Sequence, residues 1–335
     1  MPSVTRTHHA DVVVTSPFPI TCIFPVEVLD QIMSWAVTDE LEFPSIAGFS
    51  LASYQFRQIA LRQYFVRLYA HSKESWYKLC QIPGIYTWVR ELDCLSSAIL
   101  SDLSHLFHFT NLQYVHIDLS PEGFHTQRTC VRKILKCLPA DLIALELTYL
   151  PKLDVDLLHR IAKSFPRLVY LKLTCAERLI NDCCWGCYEE SSSCTIHSPI
   201  PDNFVDADDL TYAFGIALKP LHDLQFLHLG IYLSDLDLFY YHILHSQMEP
   251  VRPAKRVWPH APNECTHCRD TFSEEVRTTE LYASAAIARF LPSIKSVTWS
   301  SFFTLNEPGD CPENQTTTMW VQRKDKKVKV RRAAW

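Results

Sequence analysis

A short leucine pattern that recurs along the chain constrains its fold more than any other feature. In residues 165–173, Leu168, Leu171 and Leu173 have the spacing L-x-x-L-x-L, and the last two alternate as in a half-buried strand. Immediately upstream, apolar residues from 157 to 165 recur with the spacing of one helix face. Pro166 ends that helix, because proline cannot continue the hydrogen-bond ladder. The unit is therefore a helix, a proline turn and a short strand.

The same strand pattern, or a near version of it, occurs in six segments. They are Val89–Cys94, Leu112–Ile117, Leu142–Leu147, Leu168–Leu173, Leu224–Leu229 and Ile294–Trp299. Helix-type apolar spacing precedes the later strands, within 99–107, 131–138, 157–165, 210–218 and 283–291. The last of these helices is preceded by Thr271-x-x-Glu274, which predicts a capping box at its start. Prolines 139, 166 and 292 fall between helix and strand, so the unit repeats in register.

This repetition predicts an α/β fold in which residues 71–318 form a right-handed solenoid, with parallel strands on the concave side and helices outside. Successive strand patterns start 23, 30, 26, 56 and 70 residues apart. The first three spacings resemble those of irregular leucine-rich repeats, and the last two predict insertions at about 175–206 and 232–273. Solenoids bind partners on the concave face, so the strand residues that point outward there form the predicted target-binding surface. These are His116, Glu146, Lys172, His228 and Thr298. For any one of them, the alternative is an ordinary solvated side chain.

The N-terminal part has a different organisation. Residues 1–21 are polar and predict a disordered lead-in. Residues 22–70 contain two or three short helices, with the patterns Phe24-Pro25-x-Glu27-x-Leu29-x-x-Ile32 and, from Phe49 to Ala60, Phe-Ser-Leu-Ala-Ser-x-x-Phe-Arg-x-Ile-Ala. This stretch resembles an F-box, with Phe24 in place of the usual leucine and Phe56 in place of the usual tryptophan.

The resemblance implies a partner and a role. F-box modules dock on a Skp-type adaptor, which links them to a cullin–RING ubiquitin ligase. Carried over by position, the adaptor-binding residues are Pro25, Val28, Leu29, Ile32 and Phe56. The chain is then a non-enzymatic substrate receptor that brings a target protein of unknown identity to the ligase. The alternative is a leucine-rich interaction scaffold without a ubiquitin link, in which residues 22–70 only cap the first repeat.

Composition and the absence of certain motifs exclude several classes of function. The chain has seven glycines, and no nucleotide-binding glycine motif or nucleophile elbow passes through their positions. No catalytic constellation or run of eighteen apolar residues occurs, so neither an enzyme nor a membrane partner is predicted. The N-terminus lacks the features of a secretory signal, so we expect the thirteen cysteines to stay reduced in the cytoplasm or nucleus. Outside the tail the chain is acidic, which does not favour nucleic acid as a partner.

Cysteine pairs in the two predicted insertions raise the possibility of a structural metal. Each insertion contains C-x-x-C, the spacing of half a zinc site. The pairs are Cys184 with Cys187 and Cys265 with Cys268. Because both insertions leave the same end of neighbouring strands, they could meet in one zinc clip. The alternatives are flexible loops with free thiols and no cofactor, or a zinc-dependent or redox protein centred on these loops.

Residues 319–335 form a basic C-terminal segment. Seven Lys or Arg and one Asp occur in the last fifteen residues, a composition that would also suit nuclear import or nucleic-acid binding. Apolar residues flank the polar stretch 324–327, however, and alternate strictly after it at Val328 and Val330, which is typical of a β-hairpin. We therefore expect a hairpin that closes the solenoid, with lysines on its exposed edge.

Overall fold

The computed structural model describes residues 25–36, 43–122, 124–150, 153–175, 204–233, 238, 241, 266–301, 303–304, 308–311, 315–325 and 327–334. The chain divides into two compact units, Met1–Tyr64 and Phe65–Trp335. Within the described ranges, no helix has both the length and the apolar character needed to cross a membrane.

The described part of the N-terminal unit contains three short helices: α1 (Val26–Ala36), α2 (Phe43–Ala52) and α3 (Tyr54–Tyr64). Ser53 separates the last two, and its hydroxyl accepts a hydrogen bond from the backbone N–H of Phe56 at 3.2 Å, as an N-cap does. Arg62 of α3 forms an ion pair with Asp30 of α1. The helices enclose a small apolar core, which consists of Leu29, Met33, Ile46, Ile59 and Ala60.

The larger unit is mixed α/β and is built on one sheet of ten strands, most of them parallel. The parallel strands are β1 (Arg67–Ala70), β2 (Glu91–Leu95), β3 (Tyr114–Asp118), β4 (Ala144–Leu150), β5 (Tyr170–Cys175), β6 (Phe226–Tyr232) and β7 (Ser296–Ser300). They lie side by side in chain order. The ladder extends into the preceding turns, where the N–H groups of Ile143, Val169 and Gln225 donate to carbonyls one strand earlier at 2.8–2.9 Å. A strand occurs at each of the six positions where the leucine pattern predicts one.

Two rows of apolar side chains cross one face of the sheet and form the main core. The first row contains Leu92, Val115, Leu145, Leu171 and Leu227, and the second contains Cys94, Ile117, Leu147, Leu173 and Leu229. All ten are at most 1% exposed. Burying a side chain of this size stabilises a fold by about 1.5–3 kcal/mol. Because side chains alternate along a strand, a register shift of one residue would turn every one of these residues away from the core.

Helices connect the strands. They are α4 (Lys73–Cys80), α5 (Ile85–Trp88), α6 (Ser96–Ile99), a 3₁₀ helix (Leu103–His108), α7 (Phe124–Cys137), α8 (Val155–Ser164), α9 (Ala207–Leu218) and α10 (Thr266–Phe290). Side chains of Ser72, Asp154 and Asp206 accept hydrogen bonds from the first turns of α4, α8 and α9 at 3.1, 2.8 and 2.8 Å. Local capping therefore sets the starts of these three helices.

Three antiparallel strands complete the sheet: β8 (Asp310–Cys311), β9 (Thr316–Lys324) and β10 (Lys327–Arg331). β9 pairs with β7 on one side and with β10 on the other, so residues 316–331 form a hairpin on the stretch where the sequence predicts one. The guanidinium of Arg323 donates to the carbonyls of Ala288 and Ile294 at 2.7 and 2.9 Å. A basic residue of the tail thus satisfies backbone carbonyls at the end of α10, as C-terminal capping requires.

A buried ionic network joins α10 to β8 and to the residue that follows β10. Arg332 forms ion pairs with Glu280 at 2.9 Å and with Asp310 at 3.0 Å. Arg277 reaches Asp310 at 3.5 Å, and the hydroxyl of Thr317 donates to the same carboxylate at 3.1 Å. Both carboxylate side chains are 0% exposed. The C-terminal segment is therefore part of the folded unit.

The first strand and the last long helix begin earlier than expected. Strand β1, at Arg67–Ala70, pairs with β2, so the sheet starts inside the range 22–70 assigned to the helical module. The boundary between the two units lies after Tyr64. Helix α10 starts at Thr266, within the predicted insertion 232–273. Thr271 is inside this helix, where its hydroxyl donates to the carbonyl of His267 at 2.8 Å, so the predicted capping box is wrong.

The segment between β2 and β3 also differs from the prediction. Instead of one helix over 99–107, it forms the single turn α6 and the 3₁₀ helix. Phe107 is 63% exposed, whereas the pattern placed it on the buried face. The side chain of Asp102 accepts a hydrogen bond from the N–H of Ser104 at 3.0 Å and starts the 3₁₀ helix, which interrupts the helical repeat.

Candidate functional site

The face of the sheet opposite the core carries a continuous row of polar side chains. In register across β2 to β7 and β9, the row contains Asp93, His116, Glu146, Lys172, His228, Thr298 and Thr318. We call these residues the polar row. The five residues predicted as the target-binding surface are thus direct neighbours on adjacent strands. Asp93 and Thr318 extend the row at both ends, beyond the five residues that the sequence predicts.

Glu146 and Lys172 lie at the centre of the polar row. Their side chains form an ion pair at 3.1 Å and are 14% and 29% exposed. Tyr114 and Tyr170, two residues before polar-row positions on their strands, are hydrogen-bond partners of Glu146. Burial opposes ionisation of Glu146, but hydrogen bonds from Tyr114 and Lys172 outweigh it and hold its pKa below the usual value. Glu146 is therefore ionised at neutral pH, and Tyr114 and Lys172 within the chain already provide it with hydrogen bonds.

His228 differs from the other polar-row residues in one buried ring nitrogen. Its Nε2 atom is inaccessible to solvent and has no hydrogen-bond partner among the described residues. Burial, and then the positive charge of Lys172, lower its pKa to about 4. The imidazole is therefore neutral at neutral pH and has one unused polar atom, a cost that folded proteins seldom accept without a functional reason.

We expect the replacement His228→Leu to flatten the acid side of the stability profile. The pKa of His228 lies at about 4 in the folded protein against an ordinary value of 6.5, so the unfolded chain takes up this proton first. Through this group, wild type should lose about 3 kcal/mol of stability as the pH falls from 6.5 to about 4, and the variant should lack this contribution. Chemical denaturation at pH 7 and at pH 4.5 measures the difference. The exposed His159 gives the control variant His159→Leu, and equal losses for both variants would contradict the prediction.

Aromatic side chains flank the polar row on the same face. A parallel row aligns Tyr114, Ala144, Tyr170, Phe226 and Ser296, each two residues before the polar row, with Trp320 on the antiparallel strand β9, two residues after Thr318. The ammonium of Lys295 lies 5.9 Å from the ring centroid of Phe226. On three strands, an aromatic residue is therefore followed by a core residue and then by a polar-row residue. This pattern is present in the sequence at 114–116, 170–172 and 226–228. Aromatic rings beside partly buried charges suit a protein-binding surface.

A second exposed surface lies on helix α1 of the N-terminal unit. Val28 and Ile32 are 39% and 43% exposed, and Trp35, one turn further, is 75% exposed. The positions i, i+4 and i+7 place the three side chains on one helix face. Leu51 and Tyr54 are 73% and 76% exposed in the same unit. The sequence analysis did not select Trp35, although its spacing from Ile32 could have indicated it.

The remaining predicted adaptor-binding residues have different environments. Pro25 is exposed immediately before α1. Leu29 is 3% exposed and belongs to the core of the unit, so its side chain does not present a surface. Phe56 is half-buried and packs edge-to-face on Phe49 with ring centroids 4.5 Å apart. Along α1, burial thus separates Leu29 and Met33 from Val28 and Ile32, which are exposed.

Of the proposed zinc ligands, Cys184, Cys187 and Cys265 lie outside the described residues. Cys268 is buried in the first turn of α10. The residues that the structure describes contain no group of three or more side chains suited to a metal ion. Among the described thiols, burial raises the pKa of Cys80 to about 11 and also raises that of Cys94, so both are protonated at neutral pH and are poor nucleophiles.

A row of three interacting side chains, Tyr86, His105 and Asp102, lies near α5 and has no local sequence signal. The hydroxyl of Tyr86 lies 2.6 Å from Nδ1 of His105, whose Nε2 lies 3.5 Å from the carboxylate of Asp102. Trp76 and Tyr86 pack on the imidazole ring, each with centroids 6.1 Å apart. This row joins α4, α5 and the 3₁₀ helix, and we assign it a structural role.

A cavity of about 630 Å³ lies on the helix side of the larger unit. Residues at the start of α9, along α10 and after β6 line it, including Asp206, Phe272, Glu275 and Arg289. It is separate from the polar row, because it is lined from the helices and not from the polar face of the strands. Comparison of the sequence with models of protein families and with curated proteins gave no match in either case.

Proposed function

We propose that this chain is the substrate receptor of a Skp/cullin/F-box type ubiquitin ligase. In this proposal the N-terminal helices bind the adaptor, and the larger unit is a leucine-rich-repeat solenoid that binds a target protein through its polar row. Catalysis belongs to the recruited ligase, and the receptor raises the local concentration of the target beside it. A leucine-rich scaffold without a ubiquitin link is the second candidate, because the polar row would serve it equally well.

One observation carries the adaptor part of the proposal. Helix α1 buries Leu29 and Met33 in its own core and still exposes Val28, Ile32 and Trp35 on another face. Exposed apolar side chains in a contiguous group mark protein-binding surfaces, and tryptophan is enriched among the residues that dominate binding energy.

Co-purification with a Skp-type adaptor tests the proposal. We expect the full-length chain to form a stoichiometric complex, and we expect Ile32→Asp and Trp35→Ala each to weaken it by about 2 kcal/mol or more, roughly thirtyfold. Both side chains are exposed, so circular dichroism should show folded variants. Tyr77→Asp is the matched control, because Tyr77 is 63% exposed in the other unit. A folded wild type that binds no adaptor would exclude the ligase role and leave the scaffold.

A further inference from the structure

Three arginine side chains converge on one carboxylate on the exposed side of the helices α7 and α8. Asp156 of α8 accepts hydrogen bonds from Arg160 of the same helix at 3.0 and 3.1 Å, and from Arg128 and Arg132 of α7 at 3.1 and 3.2 Å. Arg128 and Arg132 are four residues apart and therefore lie on one face of α7. The three arginine side chains are 38–63% exposed. We call these three arginines and Asp156 the arginine cluster.

The arginine cluster has hydrogen-bonding capacity that its own carboxylate does not use. A guanidinium has five N–H donors, and among the described residues those of Arg128 and Arg132 each make one hydrogen bond. Hydrogen bonds from Arg160 and then from Arg128 hold the pKa of Asp156 well below its usual value, so this carboxyl is ionised at neutral pH. Asp156 therefore holds the three guanidinium groups together, and the cluster keeps an excess of two positive charges.

The surrounding charges extend this excess. The helices α7 and α8 together carry six Lys or Arg residues and one carboxylate, Asp156. Among the described residues outside the strands, Arg167 and three carboxylates flank the two helices, and each of these carboxylates has a partner within the chain. Glu122 accepts a hydrogen bond from Ser96, Asp141 pairs with Arg167, and Asp154 accepts one from the N–H of Leu157. Seven cations against four carboxylates leave three positive charges on this surface, although the whole chain has a net charge of −5.

We propose that the arginine cluster binds the phosphate group of a phosphoserine or phosphothreonine in a partner protein. The phosphate oxygens accept hydrogen bonds from those N–H groups of Arg128, Arg132 and Arg160 that Asp156 does not occupy. The site consists of helix residues and is separate from the polar row of the strands. The inference therefore goes beyond the proposed function and does not depend on it.

Charge and extent distinguish this ligand from other anions. A phosphorylated side chain carries about −1.5 to −2 charges at pH 7, which matches the excess of two in the arginine cluster, whereas a carboxylate supplies only one. The planar guanidinium also matches phosphate geometry. Helix α9, which packs beside α8, begins with Asp206 as its N-cap and Asp208 and Asp209 in its first turn. A nucleic acid or an anionic membrane would extend over these carboxylates and be repelled, so a single phosphate fits this surface better.

Peptide libraries that differ only in one phosphate provide the probe. Short random peptides with a central phosphoserine or phosphothreonine are selected on the immobilised full-length chain, in parallel with the same libraries without the phosphate. We expect phosphopeptides to be selected, and we expect a synthetic copy without the phosphate to bind at least about tenfold more weakly, because hydrogen bonds between charged groups are the strong ones. Glutamate at the central position should not restore binding.

Matched charge changes assign the phosphate to the arginine cluster. Arg128→Gln and Arg132→Gln should each reduce the preference for the phosphorylated peptide by about fivefold or more. Arg167→Gln removes the same charge from the same surface and should leave that preference nearly unchanged, because Arg167 is 70% exposed and pairs with Asp141 outside the cluster. Exposed ion pairs contribute little to stability, so circular dichroism should show that all three variants are folded.

Three results would overturn the inference. The first is that no phosphopeptide is selected, and the second is an equal loss of preference in Arg132→Gln and Arg167→Gln. The third is tight binding of random-sequence DNA or of anionic lipid vesicles that Arg132→Gln weakens as much as it weakens phosphopeptide binding. Adaptor co-purification is scored separately, so failure of this site leaves the ligase role standing, and absence of adaptor binding leaves this site standing.

Discussion

Replacing Arg332 with alanine should destabilise the larger unit by about 3–5 kcal/mol, one of the two largest effects we expect. Its guanidinium neutralises Glu280 and Asp310, whose side chains are 0% exposed. Burial already raises the pKa of Glu280 despite this neighbour, so the charged form depends on the arginine. Without the arginine, Glu280 loses its ion pair at 2.9 Å, and Asp310 keeps the contact with Arg277. Urea denaturation monitored by circular dichroism measures the loss.

The neighbouring strand gives the control for this experiment. Lys329 is exposed on β10, and Lys329→Ala also removes one positive charge from the tail. We expect that control to change the unfolding free energy by less than about 0.5 kcal/mol. Equal, small effects for both variants would mean that the network around Arg332 does not form. A role of the tail limited to nuclear import predicts that same equality.

Leu29→Asp should unfold the N-terminal unit, whereas Ile32→Asp, three residues later on the same helix, should not. Leu29 is 3% exposed among Met33, Ile46, Ile59 and Ala60. Its replacement removes a core side chain, at a cost of about 2–5 kcal/mol, and also buries a carboxylate without a partner. A core of this size supplies only a few kcal/mol in total. Ile32 is 43% exposed, so its replacement changes the surface alone.

Limited proteolysis and amide hydrogen exchange within residues 25–64 separate the two variants. We expect rapid exchange and cleavage there in Leu29→Asp, and protection close to that of wild type in Ile32→Asp. Adaptor binding lost in both variants then has two causes, unfolding in the first and a damaged surface in the second. Wild-type protection in Leu29→Asp would show that this core contributes little, and the assignment of the α1 faces would have to be reversed.

Much of the architecture of the larger unit can be read from the sequence because its periodicity is local. The alternation Leu171-x-Leu173 specifies a strand with one buried face, and the proline at 166 separates that strand from the helix before it. The recurrence of this unit predicts the strands β2 to β7. It also predicts that His116, Glu146, Lys172, His228 and Thr298 occupy equivalent positions, and the register places them in one row.

Some features required the tertiary structure because they depend on which neighbour covers a side chain. The apolar stripe on α1 does not distinguish Leu29, which the helices α2 and α3 cover, from Ile32, which they leave exposed. Strand β1 has no leucine motif of its own, and it forms because its backbone pairs with the edge of β2.

The sequence likewise does not show which polar side chains pair with one another and which are removed from solvent. No local pattern joins Glu280 to Arg332 across 52 residues, and none shows that the Nε2 atom of His228 has no partner among the described residues. The sequence by itself therefore determined the repeating unit and the face that each strand residue occupies, because backbone periodicity sets both. Only the tertiary structure decided which polar groups are satisfied within the chain and which remain for a partner, because burial and pairing are properties of assembled neighbours.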